Sequence, residues 1–270
     1  MTDVADRDWR LVREETRTGP MNMALDEIAA ETAARGGPRT LRVYQWHPAT
    51  LSLGYHQDTE TVNWGFCERE GISVTRRPTG GGGIYHDTRG DISYSIVAPA
   101  DELPGDLMAT YERLCEPLFD GFDKLGIPAR FADEDRPSVF DPACYLRALH
   151  PAHDVVAGDG RKLSGNAQHR RRDSVIQHGS VLFADAAETH LDCFVDSPSP
   201  EAFGERVTNL EAQVDVSRAE AVVAFEDALG EWADADEGDW TDDELARARE
   251  RAEEKFKSAA WNRERVDPTA

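Results

Sequence analysis

Arg76-Arg77-Pro78-Thr79-Gly80-Gly81-Gly82-Gly83-Ile84-Tyr85-His86-Asp87 is the stretch that decides how the rest of the chain is read. Ile72 to Arg76 is expected to be a strand that enters the glycine run, and Ile84-Tyr85-His86 a strand that leaves it. A simple turn does not need four glycines. Such a run lets the backbone take positive φ and brings its N–H groups close to a ligand. Arg76 and Arg77 stand at its start, and His86 and Asp87 close the following strand. Backbone donors with arginines suit a phosphate or a carboxylate. The run is not a Walker A loop, because no Gly-Lys-Ser/Thr follows, and not a dinucleotide fingerprint, because a strand follows instead of a helix. Glycines alone would serve equally well as a flexible loop; the paired arginines turn the reading towards binding.

Outward from this segment the chain alternates hairpin-like strands with helices. Towards the N-terminus, a helix starts near Pro20 and stops at Gly36-Gly37. Strands at 41–46 and 50–55 are separated by His47-Pro48, and a helix at 62–70 is closed by Gly71. Towards the C-terminus, Asp87 to Gly90 turns into a strand at 92–98. Tyr111, Leu114, Leu118, Phe122 and Leu125 then form the apolar stripe of a core-facing helix over about 107–125. Residues 131–151 read as a long irregular loop, a length that is often functional or disordered. Strands follow at Val155-Val156, Lys162-Leu163 and 175–183; beyond Ala186 the chain is helical and very acidic, and the stretch at about 215–265 reads as exposed helix. The regular βαβ rhythm is missing, so the expected fold is α+β, a mixed, largely antiparallel sheet flanked by helices, in one domain over 1–270.

The 270 residues carry 52 Asp and Glu against 30 Lys and Arg, a net −22. A surface so acidic repels nucleic-acid phosphate, and Arg170-Arg171-Arg172 is too short a basic cluster to reverse that. The charge reads as an adaptation to high salt. No apolar run is long enough to span a bilayer, and the polar start does not resemble a signal peptide, so no membrane role and a cytoplasmic location are expected. Cys67, Cys115, Cys144 and Cys193 are too scattered for a zinc site.

A second anchor is Gly160-Arg161-Lys162-Leu163-Ser164-Gly165-Asn166-Ala167-Gln168. A lysine on a strand that enters small residues lets a bulky substrate approach an ammonium, which can stabilise charge growing on a carbonyl or phosphoryl oxygen. The two anchors together resemble the lipoate–protein ligase family. The glycine segment is similar to that family's R-R-x-x-G-G-G-x-V-x-H-D, with Ile84 in place of Val, and the lysine segment to its K-x-x-G-x-A. Asn22 to Glu27, Leu41 to Tyr44, Ser52 to Tyr55 with Gln57, Asn209-Leu210 and Lys255 to Asn262 are also similar, so the resemblance covers about residues 8–265.

The resemblance implies the biotin/lipoate ligase catalytic domain, related to class II tRNA synthetases. It implies that ATP, with Mg²⁺, activates lipoate to lipoyl-AMP, and that the acyl group passes to a lysine of a lipoyl domain, either in the E2 of a 2-oxoacid dehydrogenase or in the glycine cleavage H protein. Lys162 is then catalytic. Arg76, Arg77, Thr79, Gly80, Gly81, Gly82, Gly83, His86, Asp87, Gly165, Asn166, Ala167 and His178 bind substrate or nucleotide, and Asp154 in His153-Asp154-Val155 assists the metal. A small separate accessory subunit is a further implied partner. Related octanoyltransferases supply the main rival. They carry a Cys before the lysine motif, then G-x-A-Q-x-R and Q-H-G-S, matched here by Cys144, by Gly165 to Arg170 and by Gln177 to Ser180. An exposed cysteine near a cation can act as a thiolate nucleophile. Gly82, where the octanoyl branch usually has Arg, favours the ligase. A non-catalytic binder of lipoate or lipoyl domains is the remaining alternative. The choice between lipoate and octanoate stays open.

Overall fold

A computed structural model describes residues 3–150 and 153–269. Eleven strands are present among them: β1 (Trp9–Arg17), β2 (Arg39–Trp46), β3 (Thr50–Leu53), β4 (Ser73–Arg76), β5 (Ile84–His86), β6 (Asp91–Pro99), β7 (Ala129–Phe131), β8 (Asp154–Ala157), β9 (Lys162–Arg170), β10 (Ser174–Leu182) and β11 (Asp236–Glu237). The helices are α1 (Gly19–Ala34), α2 (Trp64–Arg69), α3 (Leu107–Lys124), α4 (Ala187–Asp192), α5 (Pro200–Gly204), α6 (Leu210–Gln213), α7 (Arg218–Ala233), α8 (Asp242–Arg251) and α9 (Ala259–Glu264). Eight strands form one sheet in the order β11-β1-β2-β6-β10-β9-β8-β7, and three form a smaller sheet, β4-β3-β5. In the large sheet only the β1–β11 and β1–β2 pairings are parallel. The expected α+β architecture with a mixed, largely antiparallel sheet is therefore the observed one.

Alternation along the central strands builds the layers. On β2, Leu41 and Val43 face the core under α3 and α7, with Leu114, Leu118, Phe122, Phe225 and Leu229. Tyr44 and Trp46 point to the other face, where α1 packs with Met23, Leu25 and Ile28 beside Phe256 and Trp261. A third cluster joins the small sheet to α4 and α5 and reaches Ala143, Tyr145 and Leu146. The segment read as a long loop is thus tied down at its centre: Cys144–Leu146 forms a short 3₁₀ turn, and Arg136 and Leu149 pair across a bridge. Pro151, at the end of that expected loop, lies outside the described residues. No helix among the described residues is long and apolar enough to cross a membrane.

Several boundaries differ from expectation. β1 was not expected from its charged sequence; β9 runs to Arg170 instead of ending near Leu163 because it pairs along its length with β10. The C-terminal segment is not simply an exposed face. Arg10 holds Glu244 in a two-pronged pair at 2.8 and 2.6 Å, and Lys255 meets Glu27 at 2.8 Å, both buried.

Candidate active site

A cavity of about 620 Å³ opens between the two sheets and is closed on one side by the Asp135–His150 segment. The glycine run, the Cys144 turn and the start of β9 all line it. β8 and β9 pair antiparallel with an irregularity between Val155 and Val156. Asp154 and Lys162 meet there at 2.6 Å, each side chain 3% exposed. Burial opposes both charges, but each charge offsets the cost to the other: the Asp154 carboxylate lifts Lys162 above the ordinary lysine range, and Lys162 and His153 hold Asp154 below the carboxylate range. At neutral pH Lys162 is an ammonium.

Lys162 also donates to the Cys144 carbonyl at 3.2 Å. With three N–H groups and two acceptors among the described residues, one donor is left for another group. Gly165 brings the thiol and the ammonium together. A Cβ at Gly165 would lie 3.5 Å from Cys144 Sγ and 3.5 Å from Lys162 Cε. Cys144 is partly exposed, whereas the other three cysteines are buried. Tyr145 secures the turn from behind, its hydroxyl 2.9 Å from Ser180 Oγ.

The glycine run reaches the same place from the opposite wall. Gly83 N–H donates to Pro142 O at 2.7 Å, and Cys144 N–H donates to Gly83 O at 2.9 Å. A Cβ on Gly82 would stand 2.7 Å from Pro142 O and 2.8 Å from Cys144 N, so only glycine lets the two backbones meet. Gly81 has φ +94° and lines the cavity.

Two imidazole relays hold this run in place. Thr79 Oγ1 is 2.7 Å from His178 Nε2, and His178 Nδ1 is 3.2 Å from Asp26 on α1. Asp26 in turn accepts from Arg42 at 3.1 Å. On the other side, Ser52 Oγ is 2.8 Å from His86 Nε2, and His86 Nδ1 is 3.0 Å from Asp91. Burial keeps His86 below its ordinary pKa against the pull of Asp91, so this ring is neutral. Arg77 links the second relay to the run. It donates to Ser52 O at 2.7 Å, Gly80 O at 2.9 Å and Gly82 O at 2.6 Å.

The expected site residues therefore separate by position. Lys162, Cys144, Asp154, Arg77, Gly80, Gly81, His86, Gly165, Asn166, Ala167 and His178 line the cavity. Arg76 does not. Its guanidinium donates to the carbonyls of Gly54, Tyr55, Gln57 and Asn262 at 2.6–3.2 Å. Thr79 sits behind the run, Gly82 and Gly83 face the Cys144 backbone, and Asp87 accepts from the N–H groups of Arg89 and Gly90 to shape the next turn. Asp154, expected to assist a metal, has its oxygens against Lys162 and the His150 N–H at 2.6 and 2.8 Å. Ser52 and Asp91 complete this relay: Ser52 joins His86 through the β3–β5 pairing, which short-range spacing does not encode, and Asp91 joins it across the turn at Asp87 to Gly90, five residues on, where the chain passes from the small sheet to the large one.

The model of the lipoyl protein ligase A/B catalytic domain matches residues 18–230. This chain belongs to that family. Among curated relatives, the octanoyltransferase LipM of Kyrpidia tusciae is 34% identical over 277 residues, covering 94% of this chain and 98% of its own. LipM of Symbiobacterium thermophilum is 38% identical over 190 residues, 66% of each chain. Among solved structures, lipoate-protein ligase A bound with ATP aligns with a TM-score of 0.78 at 27% identity, covering 95% of this chain and 99% of that one. A putative lipoate protein ligase from Thermoplasma acidophilum with bound lipoic acid gives 0.78 at 27% identity, covering 96% and 100%. The chain is an enzyme of the lipoate/octanoate ligase and transferase family.

Proposed function

We propose that the enzyme is a Cys144-dependent transferase that moves an octanoyl-type acyl group from a thioester donor to a lysine of a lipoyl domain. The observation that carries this reading is the placement of Cys144 Sγ and Lys162 Cε against one glycine in the wall of the cavity. The LipM relatives point the same way. From sequence alone the ATP-dependent ligase comes first; these two observations move the transferase ahead of it.

In the first step the Cys144 thiolate attacks the donor carbonyl, a carbon–sulfur bond forms, and the donor thiol leaves with the proton that Cys144 gave up. In the second the neutral ε-amine of the acceptor attacks the acyl-enzyme, an amide forms, and Cys144 departs and recovers a proton from the amine. The Lys162 ammonium stabilises the thiolate and the oxyanion of each tetrahedral intermediate. The acceptors are the E2 of 2-oxoacid dehydrogenases and the glycine cleavage H protein, and the reaction takes place in the cytoplasm. The net charge of −22 suits a saline interior.

The likeness to ligases holding ATP and lipoate favours a second reading, ligation through lipoyl-AMP, with an accessory subunit such as the archaeal bipartite system has. In this second reading Asp154 would assist the Mg²⁺ that accompanies ATP. The two readings separate in one assay. Purified enzyme and a lipoyl domain are incubated with an octanoyl thioester without ATP, or with lipoate and Mg-ATP. Transfer without ATP and an acyl adduct on Cys144 in the intact-mass spectrum are expected. Modification that requires ATP and leaves Cys144 free would overturn the transferase.

A further inference from the structure

Two arginines stand on the rim of the cavity. Arg136 and Arg147 line it and are exposed. Arg206 stands behind Arg136, donates to Pro137 O at 3.0 Å, and has a buried Nε with no partner. Arg130 and Arg161, nearby in sequence, are each paired with a carboxylate at 2.8 Å. Arg136, Arg147 and Arg206 have none within 4.0 Å among the described residues. Each donates to a single carbonyl, Arg136 to Gly160 O at 3.5 Å, Arg147 to Asp141 O at 3.3 Å and Arg206 to Pro137 O at 3.0 Å. Asp135 and Asp141 line the same cavity yet form no ion pair with them. Arg136 and Arg206 repel one another, and an anion held at Arg136 would offset that repulsion.

Arg147 ends the turn that starts at Cys144, its N–H 3.4 Å from Cys144 O. The chain thus leaves the thiol's turn at Arg147, which lines the cavity together with Arg136. Resting on the transferase reading, we propose that this rim recognises a phosphate in the thiol arm of the acyl donor. A phosphopantetheine-type arm places its phosphate well away from the thioester, outside the cavity when the carbonyl is at Cys144. Guanidinium forks bind phosphate through paired charge-assisted hydrogen bonds. They also put positive charge at the mouth of the cavity in a protein of net −22.

The test compares octanoyl-4′-phosphopantetheine with octanoyl-pantetheine, which lacks the phosphate, as donors to a lipoyl domain. The readout is the ratio of their kcat/KM values, which cancels any general loss of activity. The natural enzyme is expected to prefer the phosphorylated donor by about tenfold or more. Arg136→Gln/Arg147→Gln should bring the ratio close to one, and Lys at both positions should restore part of it. A ratio near one in the natural enzyme, or a ratio unchanged in the Gln variant, overturns the proposal while leaving the transferase in place. No turnover with either thioester, alongside ATP-dependent lipoylation, removes the transferase reading and this proposal with it.

Discussion

The two walls of the cavity use similar residues in opposite ways. On the glycine-run wall, Arg76 and Arg77 are buried and their guanidiniums donate to backbone carbonyls. Both histidines there are held in relays that end on Asp26 and Asp91. On the opposite wall, Cys144 is partly exposed, Lys162 keeps a donor, and Arg136 and Arg147 reach solvent without carboxylate partners. An arginine in a glycine motif can thus be a brace, and one in an irregular loop can be the group that meets a ligand. The difference lies in where the hydrogen bonds end. A donor already satisfied by carbonyls gains little from a substrate, whereas an unpaired one gains a full charge-assisted bond.

The strongest way to break this contrast is Cys144→Ser. Thioester transfer should fall by at least about 10³-fold, because a serine hydroxyl is far less ionised at neutral pH and the acyl-enzyme is lost. Rates of lipoyl-domain acylation, with intact-mass spectra, check it; transfer at the natural rate would return the chemistry to the glycine-run wall. Lys162→Ala should cost about 10²–10³ in transfer rate. From sequence, that change would be expected to leave the fold intact. The buried pair with Asp154 indicates otherwise: removing one partner strands a buried carboxylate at about 3–5 kcal/mol. Urea melts on Lys162→Ala and on Lys162→Ala/Asp154→Asn separate the two effects, since the double variant should recover stability but not activity.

Gly82→Ala and Gly80→Ala sharpen the comparison within the motif. A Cβ at Gly82 meets Pro142 O and Cys144 N below 3.0 Å, while one at Gly80 has nothing within 4 Å. Displacing the Cys144 turn should lower kcat much more in Gly82→Ala than in Gly80→Ala, and steady-state kinetics on both would show it. Equal losses would mean that the run acts only through its own flexibility.

The smallest effect concerns acid. Burial opposes the charge on Glu244, but Arg10 and the Thr241 N–H outweigh it and bring its pKa from 4.5 to about 2. A carboxylate lowered in the folded state stabilises it fully above the unfolded pKa and loses that contribution as pH falls towards the folded one. Between pH 4.5 and about 2 the natural enzyme should therefore lose more urea stability than Glu244→Gln. Parallel pH profiles for the two would remove this account of the β1–α8 contact.

The fold was legible where patterns are local. The α3 stripe, the glycine run between two strands and the turn at Asp87 to Gly90 all follow from spacing and turn chemistry. β1 was not legible: Glu14, Glu15 and Arg17 give it no alternation, and its partners lie far along the chain in β2 and β11. In the site, resemblance drew attention to Lys162 and Cys144. It did not distinguish the buried Arg76 from an arginine that lines the cavity, because burial is decided by Gly54 and Asn262, distant in sequence. Arg136 and Arg147 carried no signal, since in sequence they are two charges in a loop rich in both signs.

Asn262 and Trp261 have one more consequence. The Arg76 N–H donates to Asn262 Oδ1 at 2.8 Å, and Trp261 Nε1 donates to Arg76 O at 2.7 Å, across separations of 186 and 185 residues. A growing chain on the ribosome cannot close these bonds until α9 has emerged, although the glycine run was made long before. The brace behind the glycine run is thus completed only after residues 259–264 have been made, and a polypeptide interrupted before them holds the run by its local contacts alone.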